Sequence, residues 1–175
     1  MIQRVQKLIA VQLLIAVITA GAMMPMTGCG GAKHLGQAAE AAKDIGGGTR
    51  DVIKAVGEAY QKGLLSRDQK DRLADLLKAI AKGGQKGVDT IEALQRAQVS
   101  TLDNEQRRQL TRIFDDEVIA PFLELLTELG KLSDSSSIAI RAALASVRTA
   151  IVLLSSRIGR TDVIRAIEAR EVWNV

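Results

Sequence analysis

The chain has 175 residues, with 24 lysines and arginines against 20 aspartates and glutamates, a formal charge of +4. A single cysteine excludes an intramolecular disulfide, and with only one histidine beside it the usual cysteine–histidine zinc site cannot be built. Aromatic residues are limited to Tyr60, Phe114, Phe122 and Trp173, so a folded core must be aliphatic.

The first 28 residues differ in kind from the rest. Arg4 and Lys7 make a short positive start, and Leu8 to Ala22 is an apolar run broken only by Gln12 and Thr19. Met26, Thr27 and Gly28 then lead to Cys29. A charged start, a short apolar stretch and a small-residue exit make up the layout of a secretory signal peptide. A spanning helix needs roughly 20 apolar residues, more than this run supplies. Loss of residues 1–28 removes two cations and no anion, leaving a charge too small for a nucleic-acid footprint.

The Met26-Thr27-Gly28-Cys29 sequence resembles the lipobox of bacterial lipoproteins, with Met26 where that family usually carries leucine. The resemblance covers only the first 30 residues or so. It implies cleavage before Cys29, a diacylglycerol on its sulfur and a fatty acyl chain such as palmitate on its amine. Two or more chains anchor stably, at about 0.8 kcal/mol per buried methylene. Gly30 follows the cysteine where an aspartate is absent, which in that family implies sorting to the outer membrane of a two-membrane host.

Residues 30–48 read as a tether, opened by Gly30-Gly31, closed by Gly46-Gly47-Gly48, and alanine-rich between. Downstream the periodicity is helical throughout. Thr49 is placed to cap a helix carrying Val52, Ile53, Val56 and Tyr60, ending at Gly63. Ser66 with Gln69 predicts a capping box for the next helix, which carries Leu73, Leu76, Leu77 and Ile80. Gly83, Gly84 and Gly87 either break that helix or admit a neighbouring backbone, and at about 1 kcal/mol each they favour a break or kink.

Asp103 and Gln106 are spaced for another cap, opening a helix with Leu110, Ile113, Phe114, Val118, Phe122, Leu125, Leu126 and Leu129 that stops at Gly130. Pro121 inside it predicts a kink near Ile119 or Ala120. Ser133 to Ser137 reads as a loop. From about Ser136 to Arg157, Ile140, Leu144, Val147, Ile151, Leu154 and Ile158 recur in steps of three and four, the period of packed helices. Ile138, Val152 and Leu153 predict contact on a second side. Arg141 and Arg148 argue against this helix spanning a membrane. A short helix from about Asp162 to Glu171, capped by Thr161 or Asp162, closes the chain, with Trp173 against the bundle. The predicted fold is all-α, an antiparallel bundle of four to five helices: signal peptide 1–28, lipidated cysteine and tether 29–48, bundle 49–175.

No catalytic constellation emerges. His34 sits five residues from the lipid site and reads as a solvated residue. Asp115, Asp116 and Glu117, with Glu124 and Glu128, are a charged face pairing with arginines, since three consecutive acids on a helix cannot converge. The serines at 133–137 have no base beside them, and no nucleophile elbow or phosphate loop is present. Arg157, Arg160, Arg165 and Arg170 read as a salt-bridged surface, with Asp162 and Arg165 at helical pairing distance. The expected protein is a non-enzymatic, lipid-anchored helical module in the cell envelope, without cofactor, metal or nucleic acid. Its expected partners are the membrane, through the anchor, and an envelope protein or cell-wall polymer. The alternatives are a membrane-active exclusion, immunity or lysis factor, or an inner-membrane protein with an uncleaved N-terminal anchor.

Overall fold

A computed structural model describes residues 31–97, 99 and 102–172. The signal segment 1–28, Cys29 and Trp173 lie outside the described residues. The elements are α1 (Gly31–Gln61), α2 (Arg67–Arg96), α3 (Asn104–Phe114), a π-helical turn (Asp115–Ile119), α4 (Ala120–Gly130), α5 (Asp134–Arg157) and α6 (Thr161–Val172). The fold is an all-α helical bundle, with no strand among the described residues.

The expected tether is instead the first half of α1. Leu35, Ala38, Ala39, Ala41, Ala42 and Ile45 are all buried in the core. Alanines there bury little area each, but their size lets α1 lie close against both α2 and α5, its two main neighbours. Gly46, Gly47 and Gly48 stay helical. Thr49 is therefore not a cap. It is fully buried in mid-helix, and its hydroxyl donates to the Gly46 carbonyl at 2.9 Å.

α1 ends as the sequence predicts. Gly63 has φ of 69°, the Gly63 amide donates to Tyr60 O at 2.9 Å and the Leu64 amide to Ala59 O at 2.9 Å, a Schellman closure. The Ser66–Gln69 capping box then starts α2, with the Gln69 amide donating to Ser66 Oγ at 3.2 Å and the Ser66 amide to Gln69 Oε1 at 2.8 Å. Lys70 Nζ lies 4.9 Å from the Tyr60 ring centre across the turn. Asp103 and Gln106 form the equivalent box for α3.

α2 runs unbroken through Gly83, Gly84 and Gly87, all three buried. The expected break is absent because tertiary contact uses those positions. A Cβ at Gly83 would lie 2.3 Å from the Glu117 carbonyl oxygen, and one at Gly87 would lie 2.5 Å from the Phe114 ring. At Gly84 it would be 3.3 Å from the Ala42 carbonyl oxygen. One glycine-marked stretch therefore seats α1 on one side and the π turn on the other.

The expected kink at Pro121 takes the form of that π turn, whose closing bond runs from the Ala120 amide to the Asp115 carbonyl. Proline has no N–H for the carbonyl four residues back, here that of Glu117, and its ring would clash with it. Widening the preceding turn relieves the clash. The same Glu117 carbonyl is the group packed on Gly83.

α5 begins at Asp134, earlier than expected, with Ser136 and Ser137 buried in its first turns. Ser136 Oγ donates to Leu64 O at 2.8 Å, tying the start of α5 to the α1–α2 turn. The pairs Ser136–Leu64 and Gly48–Val147 show that α5 runs antiparallel to α1. Ile140, Leu144, Val147, Ile151 and Leu154 are all buried. The seam therefore packs within the chain. A second Schellman closure at Gly159, φ 81°, turns the chain into α6, where Val163 and Ile167 are buried.

Candidate interaction surfaces

The residues that the sequence nominates for lipidation and cleavage, Cys29 with Met26, Thr27 and Gly28, lie outside the described residues. His34 is in the first turn of α1. The remaining nominated groups can be placed on the bundle.

The acidic residues of the α3–α4 rod do not converge. Four of the five nominated acids face different cations: Asp115 pairs with Arg160, Glu117 with Lys86 of α2, and Glu124 with Arg72 of α2, while Glu128 meets Lys131 at 2.8 Å. The pairs with Lys86, Arg72 and Lys131 are more exposed and each contributes little, from about 0 to 1 kcal/mol, whereas the Asp115–Arg160 pair is half-buried. Among the described residues, no group of three or more His, Cys, Asp or Glu side chains is arranged to hold a metal ion.

Arg160 is the junction at the C-terminal end. Its guanidinium holds both Asp115 of the π turn and Asp162 of α6, the latter at 2.7 Å and 2.8 Å through two nitrogens. Hydrogen bonding to Arg160 pulls the Asp162 carboxyl down to about 2, and the two carboxylates raise the guanidinium's own pKa. The expected Asp162–Arg165 pair is replaced by this clasp, because the Gly159 turn points Arg160 back toward Asp162 and the π turn together. Its work is mechanical: it fastens α6 to the rod.

Two further surfaces stand out, of which the first went unremarked in the sequence. On α3, Arg107, Arg108, Arg112, Asn104 and Thr111 line a shallow open depression, and Arg107 Nε donates to Leu102 O at 3.3 Å. Three arginines within six residues were the available signal. This patch can meet an anionic surface, but it has no enclosure to select a small molecule.

The second surface is the outer face of α5. The expected contact on a second side is half absent: Val152 is partly buried, while Ile138 is 66% and Leu153 47% exposed. Between them the outward positions are Ala142, Ala145, Ser146 and Thr149, all exposed and uncharged. Arg141 and Arg148 lie along one edge of this face and are partly buried, with Arg141 reaching the Leu129 carbonyl at 3.5 Å. By length and composition α5 is apolar enough to cross a bilayer, a property shared by core helices of soluble proteins.

No protein-family profile, no curated protein and no solved structure matches the chain. Function must come from the chemistry of the chain itself.

Proposed function

We propose that this protein is a bacterial lipoprotein whose helical bundle, held at the membrane by acylated Cys29, binds or scaffolds another component of the cell envelope without catalysing a reaction. The carrying observation is the sequence Met26-Thr27-Gly28-Cys29, placed directly after a charged and then apolar N-terminal segment. Lipidation gives a reason for a lone cysteine in an exported chain. The surface chemistry fits a binding role: paired charges, a shallow arginine patch and an uncharged helix face offer contact area.

The helical start at Gly31 sharpens the proposal. Only Gly30 lies between Cys29 and α1, so the Cys29-to-Gly31 span is at most about 7 Å. The bundle would therefore sit against the headgroups, where a 19-residue flexible tether would have let it roam about 25 Å. In a two-membrane host, Gly30 after the cysteine supports the outer membrane as the destination.

Labelled palmitate supplied to cells expressing the wild type and Cys29→Ser tests the anchor. Label in the wild type alone supports it, and label in both or in neither overturns it. Crosslinking in intact cells then identifies what the bundle touches. A second reading, a membrane-active factor, draws on the apolar character of α5. Dye release from liposomes by the purified protein would favour that reading over a scaffold.

A further inference from the structure

We infer that Arg107, Arg108 and Arg112 of α3 form a seat for the phosphates of an anionic lipid surface, turning the anchored end of the bundle onto the membrane that holds the chain. Their lack of partners sets them apart. Arg72, Lys86 and Arg160 each meet a carboxylate of the α3–α4 rod, and near the α1–α2 turn Arg67 and Lys70 share Asp71. Among the described residues no carboxylate comes within ion-pair distance of Arg107, Arg108 or Arg112, and all three are exposed.

The spacing aims them one way. At about 100° per residue, Asn104, Arg107, Arg108, Thr111 and Arg112 share one side of α3, while the buried Leu110, Ile113 and Phe114 take the other. The stripe therefore points away from α2. Exposed Glu105 and Asp116 flank it without pairing to it. Its open, shallow form suits phosphates spread over a plane, and the guanidinium fork matches phosphate oxygens.

Topology selects the occupant. α2 runs antiparallel to α1, with Gly84 against Ala42 and Gly36 near Gln95. The α3–α4 rod runs antiparallel to α2, with Phe114 on Gly87 and Glu124 paired to Arg72. The start of α3 therefore returns to the end of the bundle where α1 begins, with Arg107 and Arg112 about 8 and 15 Å along the axis from Gly31. Arg96 closes α2 at the same end and is exposed. This seating rests on the membrane attachment proposed above, through acylated Cys29 or an uncleaved apolar segment, since either brings Gly31 to the bilayer. An acidic protein would suit the charge but would not explain why the unpaired arginines gather at the anchored end. Beside an anionic bilayer each arginine shifts the bound-to-free ratio roughly fivefold, and three together on the order of a hundredfold.

The test uses the full-length chain, expressed in bacteria, extracted from membranes and reconstituted in vesicles that carry a headgroup-quencher lipid. Bimane is attached at Asn104→Cys, beside the stripe, or at Lys62→Cys in the α1–α2 turn, both exposed positions. Wild type, whose one cysteine is Cys29, gives the background. Adding phosphatidylglycerol to phosphatidylcholine vesicles is expected to raise quenching at Asn104→Cys and not at Lys62→Cys. The rise is expected to vanish in 1 M salt, where the Debye length is about 3 Å.

Glutamine at positions 107, 108 and 112 together is expected to abolish the rise with helical content unchanged, because all three side chains are exposed. Lysine at the same positions keeps the charge and is expected to retain it. No rise at Asn104→Cys, a rise that survives salt or the glutamine variant, or an equal rise at Lys62→Cys overturns the inference. A palmitate-labelled chain without the rise leaves the anchor standing and removes the seat. A membrane-bound chain without palmitate that still shows the rise removes acylation and leaves the seat, and a chain found only in the soluble fraction removes both.

Discussion

Alanine substitution along two glycine-marked stretches should produce opposite signs from one chemical change. In a helix interior, Gly→Ala is ordinarily stabilising by about 1 kcal/mol, because the glycine chain loses more freedom on folding. Gly47 is exposed on α1 and a Cβ there would meet nothing within 4 Å. Gly47→Ala should therefore gain the full amount, raising the melting temperature by about 4 °C for a bundle of this size. At Gly83 the new Cβ would lie 2.3 Å from the Glu117 carbonyl oxygen and 2.6 Å from its carbon. Those are backbone atoms of a rod held by its own packing, so they cannot rotate away as a side-chain tip could. Separating α2 from the π turn by about 1 Å places the cost at the upper end of the 1–3 kcal/mol range for overpacking. Set against the same propensity gain, the net is a loss of about 2 kcal/mol, or about 8 °C. Thermal unfolding followed by far-ultraviolet circular dichroism measures both variants. If Gly83→Ala melts as high as Gly47→Ala, the close contact between α2 and the π turn is refuted.

Ile45→Ala should cost about 2–5 kcal/mol in denaturant unfolding, since Ile45 is fully buried, whereas a flexible tether would show no change. Gly63→Ala should lose about 1 kcal/mol by chemical denaturation, because φ of 69° places the new Cβ against its own carbonyl. The Asp162 carboxyl, titrated by NMR, should show a midpoint near 2, set by its hydrogen bonds to Arg160. Because that value is depressed below the unfolded one, the contribution of the clasp is complete above about pH 4 and fades as pH falls through 2. In Arg160→Gln the Asp162 midpoint should return toward the ordinary carboxylate value, and a midpoint that stays near 2 would remove Arg160 as the cause.

Several local signals in the sequence carried their full meaning. Ser66 with Gln69 and Asp103 with Gln106 became capping boxes, and Gly63 became a left-handed closure, because each depends on atoms within one turn of chain. The α5 seam was legible for a similar reason: a repeat of three and four fixes one face whatever it packs on. Glycine was the ambiguous letter. Gly46–Gly48 looked like linker and Gly83–Gly87 like a break, since propensity counts only what a glycine lacks.

Composition and periodicity thus determined an aliphatic, all-helical bundle, its cleanest turns, and the N-terminal pattern on which the anchor proposal stands. Tertiary structure alone decided that residues 31–48 are core, that α2 is continuous, and that the turn before Pro121 widens. It also decided that Ile138 and Leu153 remain uncovered while the seam residues Ile140, Leu144, Val147, Ile151 and Leu154 are buried. The physical reason is that a missing side chain weakens a helix in isolation yet permits close backbone approach in a bundle. Which effect wins depends on a neighbour that lies tens of residues away in the sequence.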